Sequence, residues 1–272
     1  MGTAAGEGGG VRVCGRYAST KDPATLAVEF DAVDATGDGS ATEQAPGADY
    51  NVAPTKPVFA VVERHPQHEP DSVVRSIRVM RWGFVPTWAK DCNVGVKMIN
   101  ARSETAATKP AYRASMARRR CILSADGWYE WKRENGAKEP FYVTGNGPSL
   151  AMAGLWSAWR APDAEPDSPW LVTCAVLTTD ALGPLAEIHH RMPLLLPRSS
   201  WRRWLDPDVT DVADLLTPEP DLLGALELRP VSTAVNSIRN NGPDLVTRVD
   251  AAPAGSAPPE PDPVELSLFE RT

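Results

Sequence analysis

Apolar and polar positions along this chain fall into short blocks, and few are long enough for a full helix. Val58–Glu63 and Val73–Trp82 read as paired strands, the second alternating Ile77 and Val79 against Arg78 and Met80. Five further runs follow at Cys121–Leu123, Trp128–Arg133, Phe141–Thr144, Leu150–Trp156 and Leu171–Thr178. Asp-Gly, Asn-Gly and Gly-Pro pairs punctuate them and favour turns. Asp22-Pro23 supplies an N-cap followed by proline at the first helical position, which predicts a helix through about Val33. Ser103–Met116 is expected to be helical with an interruption at Pro110. Short helices are expected at Ser199–Leu205, Val212–Leu216 and Leu222–Leu226, and a strand at Leu228–Val235. Regular βαβ alternation is missing. The pattern predicts an α+β single domain, built on a mostly antiparallel curved sheet or barrel-like core with inserted short helices.

The ends look different from the middle. Residues 1–13 open with a Gly/Ala-rich stretch and are expected to be a disordered leader. Residues 249–272 are expected to be a disordered tail, Pro/Ala-rich and acidic, which leaves 14–248 as the folded domain. With 272 residues, 42% of them hydrophobic, the chain has the means to bury a sizeable core. No run reaches the roughly 18 apolar residues of a membrane-spanning helix. The start lacks both a basic and an apolar signal-peptide region, so a cytoplasmic protein with reduced thiols is expected.

The net charge of −7 hides a map. Residues 21–50 carry Lys21 against seven acids, whereas residues 81–140 carry twelve Lys/Arg against six Asp/Glu. The tail from 251 to 272 is acidic again. Six of the nine tryptophans lie between Trp82 and Trp159, overlapping the basic middle. Arginine beside exposed tryptophan is a platform for unpaired bases, although tryptophan is more often core.

Four cysteines, at 14, 92, 121 and 174, include no CxxC pair, and His189-His190 has no ligand partner at useful spacing. No metal or other cofactor is expected. Cys121 and Cys174 sit in apolar strands and read as core. Cys14, followed by Gly15-Arg16-Tyr17, has no apolar surroundings in the local sequence. Asn100 is either a helix cap or a polar site group. Glu130, flanked by Tyr129 and Trp131, is either solvent-facing or a partly buried carboxyl of raised pKa, suited to acid–base work. His189 is either a structural hydrogen-bonder or a proton carrier.

In order along the chain, CGRY (14–17), YNVAPT (50–55), RWGFVPTWAKD (81–91), INARSETA (99–106), CILSADGWYEWK (121–132), PFYV (140–143), AGLW (153–156), IHHRMPLLL (188–196) and VNSIRNNGPDL (235–245) resemble the SOS-response-associated peptidase (SRAP) family. The resemblance implies a sensor of abasic sites in single-stranded DNA whose N-terminal cysteine bonds covalently to the ring-opened sugar aldehyde. It assigns Cys14 as nucleophile, Asn100 as an orienting group, Glu130 as acid/base and His189 as proton carrier to the sugar oxygen. It places Arg16, Asn51, Arg102 and Trp82 on the DNA, with Pro54 and Thr173 shaping the binding surface. It also implies autopeptidase and lyase activities. The residue after the motif histidine, often acidic in the family, is His190 here.

The family exposes its cysteine by removing the initiator methionine, whereas Cys14 follows thirteen residues. Two routes to a free α-amine are expected: translation starting at Val13, whose GTG codon reads as methionine when it initiates, or cleavage of the leader. The first is preferred, because the low-complexity leader offers nothing to a core. A thiol peptidase acting in trans through Cys14, His189 and Glu130 or Asn100 is the alternative, and a non-catalytic binder of single-stranded DNA a third reading. The expected partner is single-stranded DNA with abasic sites, bound by a monomer.

Overall fold

In a computed structural model, the described residues are 14–37, 43–134 and 136–249, so the 1–13 leader and residues 250–272 of the tail lie outside them. The strands are β1 (Tyr17–Ser19), β2 (Val33–Asp34), β3 (Asp49–Val52), β4 (Pro57–Arg64), β5 (Val74–Trp82), β6 (Asn100–Arg102), β7 (Arg120–Ala125), β8 (Gly127–Glu134), β9 (Ala137–Gly145), β10 (Leu150–Trp159), β11 (Leu171–Asp180), β12 (Arg191–Pro193) and β13 (Leu226–Pro230). The helices are α1 (Pro23–Phe30), α2 (Ser103–Ala106), α3 (Arg113–Arg118), α4 (Trp201–Leu205) and α5 (Pro220–Gly224). This is a mixed α+β single domain with a curled sheet, as the pattern predicted.

The larger sheet runs β12-β11-β10-β7-β4-β5-β2, and it curls until β5 also pairs with β11, at Thr173–Arg81 and Cys174–Trp82. The smaller sheet runs β13-β9-β8-β1-β3. Alternation along β4 explains why its sequence is apolar from Pro57 to Val62, before Glu63 and Arg64 end the strand. Phe59 and Val61 face a core shared with Leu26 and Phe30 of α1 and Trp201 and Trp204 of α4. Val58, Ala60 and Val62 face a second core shared with Tyr17, Trp128 and Val143 of the smaller sheet. With both faces covered, a strand keeps no polar side.

The Asp22 side chain caps α1 by accepting from the Thr25 N–H at 2.8 Å, as expected. The helix stops at Phe30 rather than near Val33, because Asp31 adopts a left-handed conformation (φ 51°). Val33–Asp34 then pairs with β5. The break at Pro110 is real and separates α2 from α3. The strand expected over 228–235 ends at Pro230. There the Ser232 side chain accepts from the Ala234 N–H, and the chain turns into a single 3₁₀ turn over Thr233–Asn236. The helix expected over 222–226 begins earlier, at Pro220, which suits a first helical turn.

One close approach positions the site. A Cβ on Gly127 would stand 2.5 Å from the Val143 carbonyl oxygen and from the Tyr142 ring, so only glycine lets β8 lie against β9 here. That contact sets the register that pairs Glu130 with Phe141. Among the described residues, no helix is long and apolar enough to cross a membrane.

Candidate active site

Cys14 lies just before β1 and is 4% exposed, packed with Ile99, Trp128 and other apolar residues of the second core. Its backbone is left-handed (φ 44°), which is strained for a residue with a Cβ. Two hydrogen bonds hold it there. Its backbone N–H donates to Glu130 Oε1 at 2.9 Å, and its Sγ donates to the same oxygen at 2.7 Å. Burial pushes the Cys14 thiol well above its usual range, the Glu130 charge pushes it further, and only Arg191 pulls it down. Burial likewise pushes Glu130 up to about 7, against the lowering effect of its bonds from Cys14. At neutral pH the thiol is therefore protonated, while the carboxyl is poised between its two forms.

His189 enters from the loop before β12. The Arg191 N–H donates to His189 Nδ1 at 3.0 Å, which places the proton of the neutral ring on Nε2. Nε2 is buried and has no hydrogen-bond partner among the described residues. Burial lowers the His189 pKa, and the charge of His190, stacked on it at 4.4 Å, lowers it further. His190 thus helps to keep His189 neutral. Arg191 is held in turn by Glu104, with Nη1 on Oε1 at 2.7 Å and Nη2 on Oε2 at 3.0 Å, and by Asp180 at 2.6 Å.

Glu130 and His189 line a cleft of about 700 Å³ together with Arg16, Pro54, Arg133 and Lys138. Three permanent cations face one carboxyl, so the cleft suits an anionic ligand. Arg16 Nη1 donates to Asn51 Oδ1 at 2.7 Å and to the Val235 carbonyl at 3.1 Å. Asn51 is wholly buried, and its Nδ2 serves the carbonyls of Val235, Ser237 and Asn240. One amide thus fixes both Arg16 and the 235–240 loop. Asn51→Ala should cost about 2–4 kcal/mol, because it leaves buried groups unpaired. Urea unfolding measures it, and a loss below about 1 kcal/mol would contradict this.

The residues singled out in the sequence divide cleanly. Arg16, Pro54, Glu130 and His189 meet at the cleft, with Cys14 bonded to Glu130 just beneath it. Asn100 and Arg102 lie on β6, which pairs with β11, and neither lines the cleft. Three residues expected at the DNA surface are buried. Trp82 is 0% exposed, with its ring edge-on to Tyr17 and its Nε1 donating to the Ile99 carbonyl at 2.9 Å, so it packs the core and offers no stacking face. Thr173 is 0% exposed, and its hydroxyl accepts from the Val85 N–H at 2.9 Å. Asn51 is likewise buried and acts through Arg16 and the loop.

The sequence reading missed Arg133, Lys138 and Trp131, where the Lys138 ammonium lies 4.5 Å from the Trp131 ring. The β8–β9 hairpin carries Lys132, Arg133 and Lys138 against Glu130, Glu134 and Glu139, so no local charge excess marked them. It also missed Arg191. Among the described residues, no group of three or more His, Cys, Asp or Glu is gathered to hold a metal ion.

A carboxyl and an imidazole thus line a cationic cleft, with a thiol hydrogen-bonded to the carboxyl beneath it. The family model described as SOS response associated peptidase (SRAP) matches residues 13–238, and the chain belongs to this family. Abasic site processing protein YoqW of Bacillus subtilis (strain 168) is 37% identical over 202 residues, covering 72% of this chain and 84% of its own length. Abasic site processing protein HMCES of Xenopus tropicalis is 31% identical over 273 residues, covering 87% of this chain and 78% of its own. A crystal structure of a Bacteroides thetaiotaomicron protein shares the fold, with a TM-score of 0.71 at 22% identity over 87% of this chain and all of that one. One from Bordetella bronchiseptica gives a TM-score of 0.64 at 28% identity over 80% of this chain and all of that one.

Proposed function

We propose that this protein captures abasic sites in single-stranded DNA by a covalent bond through Cys14. The observation that carries the reading is the double contact of the Cys14 nitrogen and sulfur with one carboxylate oxygen, beneath a cationic cleft. The names of the relatives supply the substrate: YoqW and HMCES are both called abasic site processing proteins.

The chemistry needs an α-amine and a thiol on adjacent carbons. The C1′–O4′ bond of the closed sugar breaks, O4′ takes a proton, and the C1′ hydroxyl releases one as C1′ becomes an aldehyde. The amine adds to that aldehyde, and loss of one water leaves an imine. The thiol then adds across the C=N bond, its proton passes to nitrogen, and a five-membered thiazolidine closes. Glu130, titrating near 7, gives a proton to the departing water and then carries the thiol proton to the ring nitrogen. His189, with its proton on Nε2, supplies the sugar oxygen. Arg16, Arg133 and Lys138 hold the flanking phosphates. Pro54 shapes the wall, while Asn100, orienting the sugar or Cys14, and Arg102, contacting phosphate, act from β6 outside the cleft lining.

Cys14 gains its amine either by initiation at Val13 or by cleavage after it. The match to the family begins at residue 13, in support of the first. For the second, the nitrogen that would leave already lies 2.9 Å from Glu130. The raised thiol pKa speaks against a peptidase acting in trans, which needs a thiolate.

The test is a denaturing gel of protein from the native gene mixed with an abasic-site oligonucleotide, with intact mass measured on the same sample. A shifted band on protein that begins at Cys14 is expected. A shifted band on protein that still carries Gly2–Val13 would rule out the thiazolidine. Salt-sensitive binding with no band would leave a simple binder.

A further inference from the structure

A second cleft, of about 650 Å³, opens at the other end of β4. Thr55, just before β4, lines the first cleft, and Arg64, its last residue, lines the second. Nine residue steps at ~3.3 Å each put Thr55 and Arg64 about 30 Å apart, and Val79 and Met80, paired with Phe59 and Val58, carry the second cleft's wall back along β5. Arg64, Arg78, Arg119 and Arg160 line this second cleft, and no carboxylate among the described residues does. The adjoining loop carries Asp163, Glu165 and Asp167, but all three stay off its wall.

The arginines are organised around two tryptophans. Arg64 and Arg119 lie over the Trp156 ring, at 5.4 and 5.5 Å from its centroid. Arg160 lies over Trp170 at 4.5 Å and is tied to its own loop by a 2.5 Å bond to the Pro166 carbonyl. Trp156 is 9% exposed and forms the floor, whereas Trp170 is 48% exposed and offers ring surface to a ligand. Guanidinium groups beside an open indole recognise a phosphate and a stacked base together. The segment between β5 and β6 joins the two clefts: Thr87 lines the second, Val96 the first, and Lys90 and Lys97 are exposed between or beside them.

We infer that the second cleft is a further binding site for single-stranded nucleic acid, with phosphates on Arg119 and Arg160 and a base on Trp170, so that one strand engages both clefts. This rests on the reading of the first cleft as a DNA site. A strand long enough to reach both should then bind through more phosphates than a short one.

The test compares undamaged oligonucleotides of about 6 and about 30 nucleotides on the full chain, by titration at several salt concentrations. The double variant Arg119→Gln/Arg160→Gln should bind the long strand about tenfold more weakly, and its salt slope should fall by about 1.4, at ~0.7 per phosphate contact in single strands. The short strand should bind it as it binds the wild type. Trp170→Ala, at an exposed position, should weaken the long strand by at least about fivefold and guards against misfolding of the double variant. Equal losses for both lengths, or no loss for either, would overturn the inference. If the wild type forms no covalent adduct but the length-dependent loss remains, the covalent reading falls and the second cleft stands.

Discussion

Glu130→Gln should slow adduct formation on an abasic-site oligonucleotide by about 10²–10⁴-fold, the range for removing a positioned acid–base group. The amide oxygen of the substituted side chain still accepts from the Cys14 nitrogen and sulfur, so the geometry persists while the proton relay is lost. The wild-type rate should carry a limb that falls as pH rises through about 7, where Glu130 loses the proton it gives to departing water. That limb should vanish in the variant.

The same substitution has an opposite effect on stability. The folded-state pKa of Glu130 is raised from 4.5 to about 7, so the folded chain holds this proton where the unfolded chain releases it. Stability from this group is therefore present below about 4.5 and is lost as pH rises to about 7. Glu130→Gln should stabilise the protein at pH 8 by up to about 3 kcal/mol and leave it unchanged near pH 4. Urea unfolding at the two pH values checks the sign. A variant that is slower but no more stable at pH 8 would show that burial does not raise this carboxyl.

Cys14→Ser should abolish the stable adduct. The amine of residue 14 still forms an imine with the aldehyde, but a hydroxyl is a far poorer nucleophile for closing the ring. No band should survive a denaturing gel unless borohydride reduces the imine first, whereas wild type should need no reductant. A reductant-independent band in Cys14→Ser would place the bond on another side chain. Loss of the borohydride-trapped band as well would mean that the amine of residue 14 is not the attacking group.

Several elements behind these expectations were legible before any coordinates. The apolar runs along β4, β5, β10 and β11 are intrinsic to the chain, as are the Asp22 cap and the break at Pro110. The cleft residues Arg16, Pro54, Glu130 and His189 came from ordered motifs. Long-range packing stayed hidden. Cys14 looked unburied because Gly15 and Arg16 follow it, but its surroundings come from Ile99, just before β6, and from β8, up to 116 residues away. Trp82 sits among arginines in sequence and inside the core in space, because alternation along β5 turns it inward. Asn51 shows the same limit, since its partners arrive from the 235–240 loop.

The distribution of the nine indoles has an optical consequence. Trp82, Trp128, Trp156, Trp159, Trp201 and Trp204 are buried, and should form a blue-shifted emission background that iodide barely quenches. The remainder are Trp131 at the first cleft, Trp170 at the second and Trp88 next to Thr87 on the connecting segment. Three accessible fluorophores thus sit along the route of the strand, and single Trp→Phe replacements would turn the protein's own emission into a position-by-position record of where DNA lies.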